Sequence, residues 1–390
     1  MRPLALAPTA LCVLAALAPL AACAEGWDFS GQVRSYGVYR QTANTGPLAQ
    51  ANTLQPGIAS VDGSTHTVQL EMRGHAALGP VSLRASATLE AQQGGAQSGN
   101  TQGRFNEAYA SGSTAAGWQW SAGKRVVSWD VGYGFRPNDV VQQEVRRALV
   151  AQPLEGRPLL LAERFGADTA WSLVWVNPTR KASTIGAQEA ALAARGYWHS
   201  GAVDWYAFAR QGEQTGGSVG AAVSWVASDA LELHASVRGG QQLVGGTWTT
   251  ASQVSLLVEA WHDSTALTNA QWSAWSARNL ALSQWPARGV PAAAVAGNLA
   301  QQANAFGVAG NLRQDNVFAR VSWQQERWET ALDWLYTPAD RGAMATASLA
   351  WTGERVKLEA GLRAAAGLNG AIVRQLPVQR QGYVVATWVF

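Results

Sequence analysis

The stretch VSLRASATLE, residues 81–90, alternates strictly between two kinds of side chain. Its odd-numbered positions carry apolar or small side chains: Val81, Leu83, Ala85, Ala87 and Leu89. Its even-numbered positions carry polar or charged ones: Ser82, Arg84, Ser86, Thr88 and Glu90. Because successive side chains of a β-strand point to opposite faces, this pattern predicts a strand with one apolar face and one polar face.

The same alternation recurs along the chain, for example in residues 27–40, 68–73, 231–238 and 356–363. The runs are about ten residues long and are bounded by turn residues, which matches the length of a tilted strand that crosses a bilayer. A soluble antiparallel sandwich also alternates and is the alternative.

Three features favour the membrane over the sandwich. The chain begins with a secretory signal, which is described below, and its last strand alternates up to a terminal Phe390. Tryptophan and tyrosine form girdles at membrane interfaces, and tryptophans lie near many strand ends: Trp118, Trp120, Trp129, Trp171, Trp175, Trp198, Trp205, Trp225, Trp334 and Trp388. Because lipid tolerates no open sheet edge, the sequence predicts an all-β fold, a closed transmembrane antiparallel up-and-down β-barrel.

Short turns between the alternating runs give the strand count. They are expected near residues 79–80, 115–117, 166–168, 199–202, 227–230, 249–251, 325–327 and 353–355. Eight such turns with both termini on the same side imply nine strand pairs and therefore about 18 strands. The pair around residues 239–248 is short, so 16 strands is the fallback. A barrel of this width leaves an aqueous lumen unless something fills it.

The first residues form a targeting segment. Arg2 precedes the apolar run 11–20, and small residues follow, as in a secretory signal peptide. We expect residues 1–24 to be removed, which leaves a barrel of residues 25–390. The stretch 20–23 also resembles a bacterial lipobox, which would make Cys23 a lipidated N-terminus. The protein is therefore expected in the outer membrane of a Gram-negative bacterium.

The composition excludes several classes of function. Only 14% of the 390 residues are charged, the net charge is +3, and the two cysteines provide no disulfide framework. No basic stripe indicates nucleic-acid binding, and neither a phosphate-binding loop nor a metal-binding spacing of His or Cys occurs. The adjacent His262 and Asp263 are the weak basis of a third hypothesis, a hydrolase at the barrel rim. We therefore expect no enzyme activity, cofactor or metal.

Long loops are expected at residues 44–63, 130–158 and 263–314. In the second, Asn138 is a possible N-cap and Pro153 a stop, which predicts a short helix between them. In the third, Thr268 and Gln271 form a capping box, and four residues of the following helix share one face: Trp272, Trp275, Asn279 and Leu282. This helix either packs into an extracellular cap or dips into the lumen and narrows it. The candidate constriction residues are Asn138, Glu144, Arg146, Thr268, Trp272 and Trp275.

The polar faces of the strands supply the candidate lumen lining. It contains both charge signs: Arg34, Glu71, Arg73, Arg84, Glu90, Arg125, Glu232, Arg238, Glu259, Arg320, Glu329, Asp333, Lys357, Glu359 and Arg363. Such residues either form cross-strand ladders that hold the wall rigid or sort solutes by charge across a narrow lumen.

The chain as a whole resembles bacterial outer-membrane porin-type barrels. Residues 123–129 (GKRVVSW) are similar to a strand of uncharacterised and alginate-export-like barrels, although Asp130 stands where a glycine often follows. The resemblance implies contact with outer-membrane lipid and lipopolysaccharide, and insertion by the barrel-assembly machinery through Phe390. We expect a channel for passive diffusion or export of small polar solutes. The alternative is a non-conducting barrel that acts as a receptor, an adhesin or part of an export complex.

Overall fold

A computed structural model describes residues 27–59, 63–95, 99–144, 146–182, 186–304 and 310–390. The expected signal peptide and Cys23 lie outside these residues. In the described part of the chain, none of the helices is long and apolar enough to cross a membrane.

The described chain forms one antiparallel sheet of 18 strands that closes on itself, because β1 pairs with both β2 and β18. The strands are β1 Trp27–Thr42, β2 Ser64–Leu78, β3 Val81–Gln93, β4 Thr101–Ser113, β5 Trp118–Arg125, β6 Arg157–Phe165, β7 Thr169–Val176, β8 Ala191–Ser200, β9 Val203–Gly212, β10 Gly216–Ser228, β11 Leu231–Arg238, β12 Gln241–Thr249, β13 Val254–Asp263, β14 Asp315–Gln325, β15 Trp328–Thr337, β16 Gly342–Thr352, β17 Val356–Ala366 and β18 Val378–Val389.

The prediction of a closed up-and-down barrel is confirmed, and the count is 18 rather than the fallback of 16. All eight expected short turns join neighbouring strands at one end of the barrel, which we call the turn end. The pair around residues 239–248 is also present, as β11 and β12 joined at Gly239 and Gly240. Both glycines have a positive φ, which side chains larger than hydrogen rarely adopt.

The outer face of the wall is apolar, with tryptophans concentrated at the turn end. Exposed examples are Trp118, Trp171, Trp198, Trp205, Trp225, Trp248, Trp323, Trp328 and Trp388. Trp129 does not belong to this ring, because it lies in a loop and is buried. The ring is what an interfacial aromatic girdle requires.

Helices occur at the opposite end, the loop end. They are α1 Gly46–Leu54, α2 Asn269–Gln284, α3 Ala292–Asn304 and α4 Ile372–Gln375, with a 3₁₀ turn Trp285–Arg288 after α2. The capping box at Thr268 and Gln271 is present, and the four residues expected on one face of α2 are the buried ones. The sequence did not predict the other three helices.

The helices pack on each other as a cap at the loop end. Leu282 of α2 lies in one cluster with Ala51 of α1 and with Val295 and Leu299 of α3. Trp272 and Trp275 form a second cluster with Ile372 of α4. The apolar stripe of α2 is therefore buried by other loop segments, as in the cap alternative.

Candidate functional site: a loop folded inside the barrel

Residues 126–156 connect β5 to β6 and fold against the inner face of the wall. We call this segment the lumen loop. Its first part packs Val127, Trp129, Val140 and Val141 on inward-facing apolar residues of β6 to β10, namely Leu159, Leu161, Val174, Val176, Ala191, Ala193, Phe208 and Ala222. This buried cluster replaces the polar lining that an open lumen requires along these strands.

The second part of the lumen loop reaches the opposite wall. Val150 is buried against Tyr36 and Val38 of β1 and Tyr383 and Val385 of β18. The loop therefore crosses the lumen from one wall to the other.

None of the described residues between Asn138 and Pro153, which are all but residue 145, is helical, so the prediction of a helix there is wrong. The Asn138 side chain binds the wall instead: its amide donates to Ser236 Oγ (2.9 Å) and to the carbonyls of Ala221 and Val237. Gly220 makes room for this contact, since a Cβ there would lie 2.0 Å from Asn138 Oδ1. The side-chain oxygen, which is the atom an N-cap uses as acceptor, is buried and accepts no hydrogen bond from the described residues.

Glu259 of β13 holds the turn of the lumen loop at Tyr133. Its two carboxylate oxygens accept the backbone N–H groups of Tyr133 and Gly134, each at 2.6 Å. His234 of β11 lies 3.0 Å from the same carboxylate and 3.0 Å from that of Glu232. Two predicted lumen residues are thus part of a buried network that fixes the loop.

Two aspartates inside the lumen loop fix its shape. Asp139 accepts the N–H groups of Trp129 and Asp130 and pairs with Arg136 at 2.7 Å. Burial raises the pKa of Asp130, although N–H groups and the Ser236 hydroxyl donate to its carboxylate and partly offset the effect. These carboxylates are internal acceptors rather than groups open to the passage.

Arg147 joins the lumen loop to two other parts of the molecule. Its guanidinium donates to Asn311 Oδ1 in the segment that follows α3, and it lies 5.2 Å from the Trp261 ring. Its carbonyl accepts from Arg363 of β17. Burial and the neighbouring Arg363 lower the pKa of Arg147 to about 10, so it remains charged at neutral pH.

An exposed edge of the lumen loop is charged. Arg146 is exposed and lies over the Tyr133 ring at 5.8 Å, while Arg320 of β14 lies 5.9 Å from the same ring. Glu144 pairs with Arg146. Burial raises the pKa of Glu144, but the hydrogen bond and charge of Arg146 outweigh burial and lower it. Asp333 pairs with Arg320 at 2.8 Å.

The register places every candidate lumen residue on the inner face. Four of them contact the lumen loop: Arg238, Glu259, Arg320 and Arg363. Others pair along or across the wall, as Glu71 with Arg73, Glu90 with Gln69, Arg125 with Glu163, Arg320 with Glu329, and Lys357 with Glu359. Arg34 donates to Gln69. Arg84 is exposed to the lumen and has no hydrogen bond or ion pair to any described side chain.

The three constriction candidates in the third loop lie elsewhere. Thr268 is the N-cap of α2, and Trp272 donates its indole N–H to the carbonyl of Leu312 at 2.6 Å. Trp272 and Trp275 contact each other edge to face, with ring centroids 5.4 Å apart. These residues hold the cap together.

The adjacent rim residues do not form a joint site. His262 faces outward beside Asp315 (2.7 Å), whereas Asp263 faces inward and accepts from Thr265 and Asn311. Neighbouring strand residues point to opposite faces, which separates the two side chains. No group of three or more His, Cys, Asp or Glu side chains in the described ranges could hold a metal ion.

Several residues that hold the lumen loop were not predicted from the sequence. Ser236 binds Asn138, Arg210 donates to the Val140 carbonyl at 2.7 Å, and Gln152 contacts Gln69. Each lies at an ordinary polar position of a strand or loop, so alternation identifies the inner face but not the contact.

No protein-family model matches the chain, and no curated protein matches its sequence. The barrel is similar to OccK5 (OpdH) of Pseudomonas aeruginosa, at 8% identity and a TM-score of 0.56, over 94% of this chain and 98% of that one. A mutant of the Rhodopseudomonas blastica porin aligns at 9% identity and a TM-score of 0.47, over 93% of this chain and all of that one. The expected resemblance to outer-membrane porin-type barrels is confirmed as a likeness of fold. The looser resemblance to alginate-export-like barrels stays a prediction.

Proposed function

We propose that this porin-type barrel is a passive channel for small polar solutes in a Gram-negative outer membrane, with a passage narrowed by the lumen loop. The observation that carries the proposal is the path of residues 126–156, which pack on opposite walls through Val140 and Val150. A plug made only for stability needs no charged edge facing water. This loop instead presents the exposed Arg146 near the same Tyr133 ring as Arg320 of the wall, which pairs with Asp333.

The charged edge supports sorting of solutes by charge as well as by size. Arg146 and Arg320 lie 5.8 Å and 5.9 Å from the Tyr133 ring. Glu144 pairs with Arg146, and Asp333 pairs with Arg320. Opposed charges across a narrow lumen select among small ions and zwitterions. The cap at the loop end marks the extracellular side, because long loops of such barrels are extracellular and short turns periplasmic.

Single-channel recording in planar bilayers tests the channel. One variant deletes residues 139–150 of the lumen loop, and a control variant deletes residues 292–303 of the cap. We expect discrete conductance steps for the unmodified protein, larger steps for the first variant and unchanged steps for the control. Absence of conductance in all three, with correct folding shown by heat-modifiable migration on gels, overturns the proposal and favours a receptor or structural barrel.

A further inference from the structure

The outer face of the wall carries an open apolar groove of about 990 Å³ that crosses β14 to β18 and β1. In one row across the strands, large and small side chains alternate in register: Tyr39, Gly382, Leu362, Ala347 and Leu332. In the next row toward the turn end the order is reversed: Gly37, Val384, Ala360, Leu349 and Thr330. The small residues of one row, Gly382 and Ala347, are therefore diagonal neighbours of Ala360 in the next row. Together they form a depression between the larger side chains.

Arg380 stands next to this groove on the side of the loop end. Arg380 precedes Gly382 by two residues on β18, so it shares the outward face and lies about 7 Å from it along the strand. It is exposed, and its register neighbours are the uncharged Gln41 and Ala364. Among the described residues it has neither a hydrogen bond nor an acidic partner.

Other outward-facing cations differ from Arg380. Lys124 pairs with Glu155, and Arg164 lies at the turn end over the Trp118 ring at 5.9 Å. An arginine on a lipid-facing wall is unfavourable in hydrocarbon but favourable at the headgroup level, where it meets phosphate. Arg380 thus supplies a phosphate-binding group next to the groove, whose apolar lining suits an acyl chain.

We propose that Arg380 and the groove below it bind one phosphorylated glycolipid of the lipid A type, with its phosphate at Arg380 and an acyl chain in the depression formed by Gly382, Ala360 and Ala347. The inference rests on the proposed membrane location, in which the loop end meets the lipopolysaccharide leaflet. A second copy of the chain fits less well. If the groove packed on the same groove of a second copy, Arg380 would be covered without an acidic partner, because none of the described residues that line the groove is Asp or Glu. A charge buried in this way is strongly unfavourable.

The test counts lipid retained on the purified barrel by native mass spectrometry in non-ionic detergent. The probes are diphosphoryl lipid A, its dephosphorylated form and phosphatidylglycerol. We expect one diphosphoryl lipid A per barrel and about fivefold weaker retention in Arg380→Gln, which corresponds to about 1 kcal/mol for one arginine. Ala347→Leu, which fills the groove without altering the charge, should also weaken retention.

Two matched controls should bind like the unmodified protein: Arg164→Gln at the other rim and Ala194→Leu on the outer face of β8. Unchanged binding by Arg380→Gln or Ala347→Leu overturns the inference. So does equal retention of dephosphorylated lipid A or phosphatidylglycerol, or a lipid-free dimer that Ala347→Leu dissociates. Bilayer conductance is recorded on the same samples, which separates the two hypotheses. A protein that conducts but does not select among the lipids contradicts only the lipid site. A protein that binds lipid A but does not conduct contradicts only the proposed channel.

Discussion

His234 Nε2 lies 3.0 Å from Glu259 Oε1, although a whole strand, β12, separates their strands. The contact is possible because Gly245 stands between them in register and has no side chain. Both side chains are buried, and the same carboxylate holds the lumen loop at Tyr133. The position of the lumen loop at Tyr133 thus depends on one carboxylate, one imidazole and one glycine of the wall.

Glu259→Ala should loosen the lumen loop. The change leaves the N–H groups of Tyr133 and Gly134 without their acceptor, and each buried unsatisfied group costs about 1–3 kcal/mol. We expect noisier and larger conductance steps, measured in planar bilayers. Glu329→Ala is the control, because Glu329 pairs with Arg320 and is half exposed. Equal noise in both variants would show that Glu259 does not hold the loop.

Gly245→Ala should reproduce this effect without altering a charge. A Cβ at Gly245 would lie 2.6 Å from Glu259 Cγ and 2.8 Å from His234 Nε2, so the pair must separate. Crowding of this kind costs about 1–3 kcal/mol, measurable by urea unfolding from lipid vesicles.

Gly297→Ala is the control for the urea unfolding measurement, because it makes the same substitution at a glycine without crowding. Nothing lies within 4 Å of a Cβ at Gly297, which is inside α3. Alanine in a helix is favoured over glycine by about 0.5–1 kcal/mol, so this variant should be as stable as the unmodified protein or slightly more so. A loss of stability in both variants would remove the specific role assigned to Gly245.

Glu189 should make the barrel sensitive to acid. Burial raises the pKa of Glu189, but hydrogen bonds from Thr215, the Gln214 N–H and Arg210 outweigh it and lower the pKa to about 2. A carboxylate whose pKa is lower when folded stabilises the protein above its unfolded pKa of 4.5, and this contribution disappears as the pH falls to about 2.

Glu189→Gln tests this linkage. The free energy of unfolding of the variant should be lower than that of the unmodified protein by about 2 kcal/mol at pH 7, and this difference should become small at pH 2. Urea unfolding followed by tryptophan fluorescence at both pH values measures it. Glu213→Gln is a useful comparison, because Glu213 is exposed beside Arg180 and should change stability little. A deficit for Glu189→Gln that persists at pH 2 contradicts the mechanism.

The sequence could predict the wall because its signals are local. Alternation sets the inner and outer face of each strand, and turn residues such as Gly79 and Gly201, both with positive φ, set where strands reverse. The capping box at Thr268 is also a local pattern, since its two partners are three residues apart.

The path of the lumen loop could not be predicted, because its partners are far away in the chain. Asn138 meets Ser236 across 98 positions, Tyr133 meets Glu259 across 126, and Arg147 meets Arg363 across 216. Asn138 has the side chain of an N-cap, and nothing in its neighbourhood reveals that the wall uses its amide. Closure of the barrel creates these contacts, so local patterns carry no sign of them.

Trp272→Ala decides whether α2 belongs to the cap alone. The Trp272 side chain is buried, donates to Leu312 and packs on Trp275 and Ile372, so its removal should cost about 3–5 kcal/mol of cap stability. Limited proteolysis should then cleave the cap faster, while the conductance stays unchanged because the lumen loop keeps its own contacts. Leu280→Ala, on the exposed side of α2, should change neither readout. A change in conductance with Trp272→Ala would mean that α2 also shapes the passage.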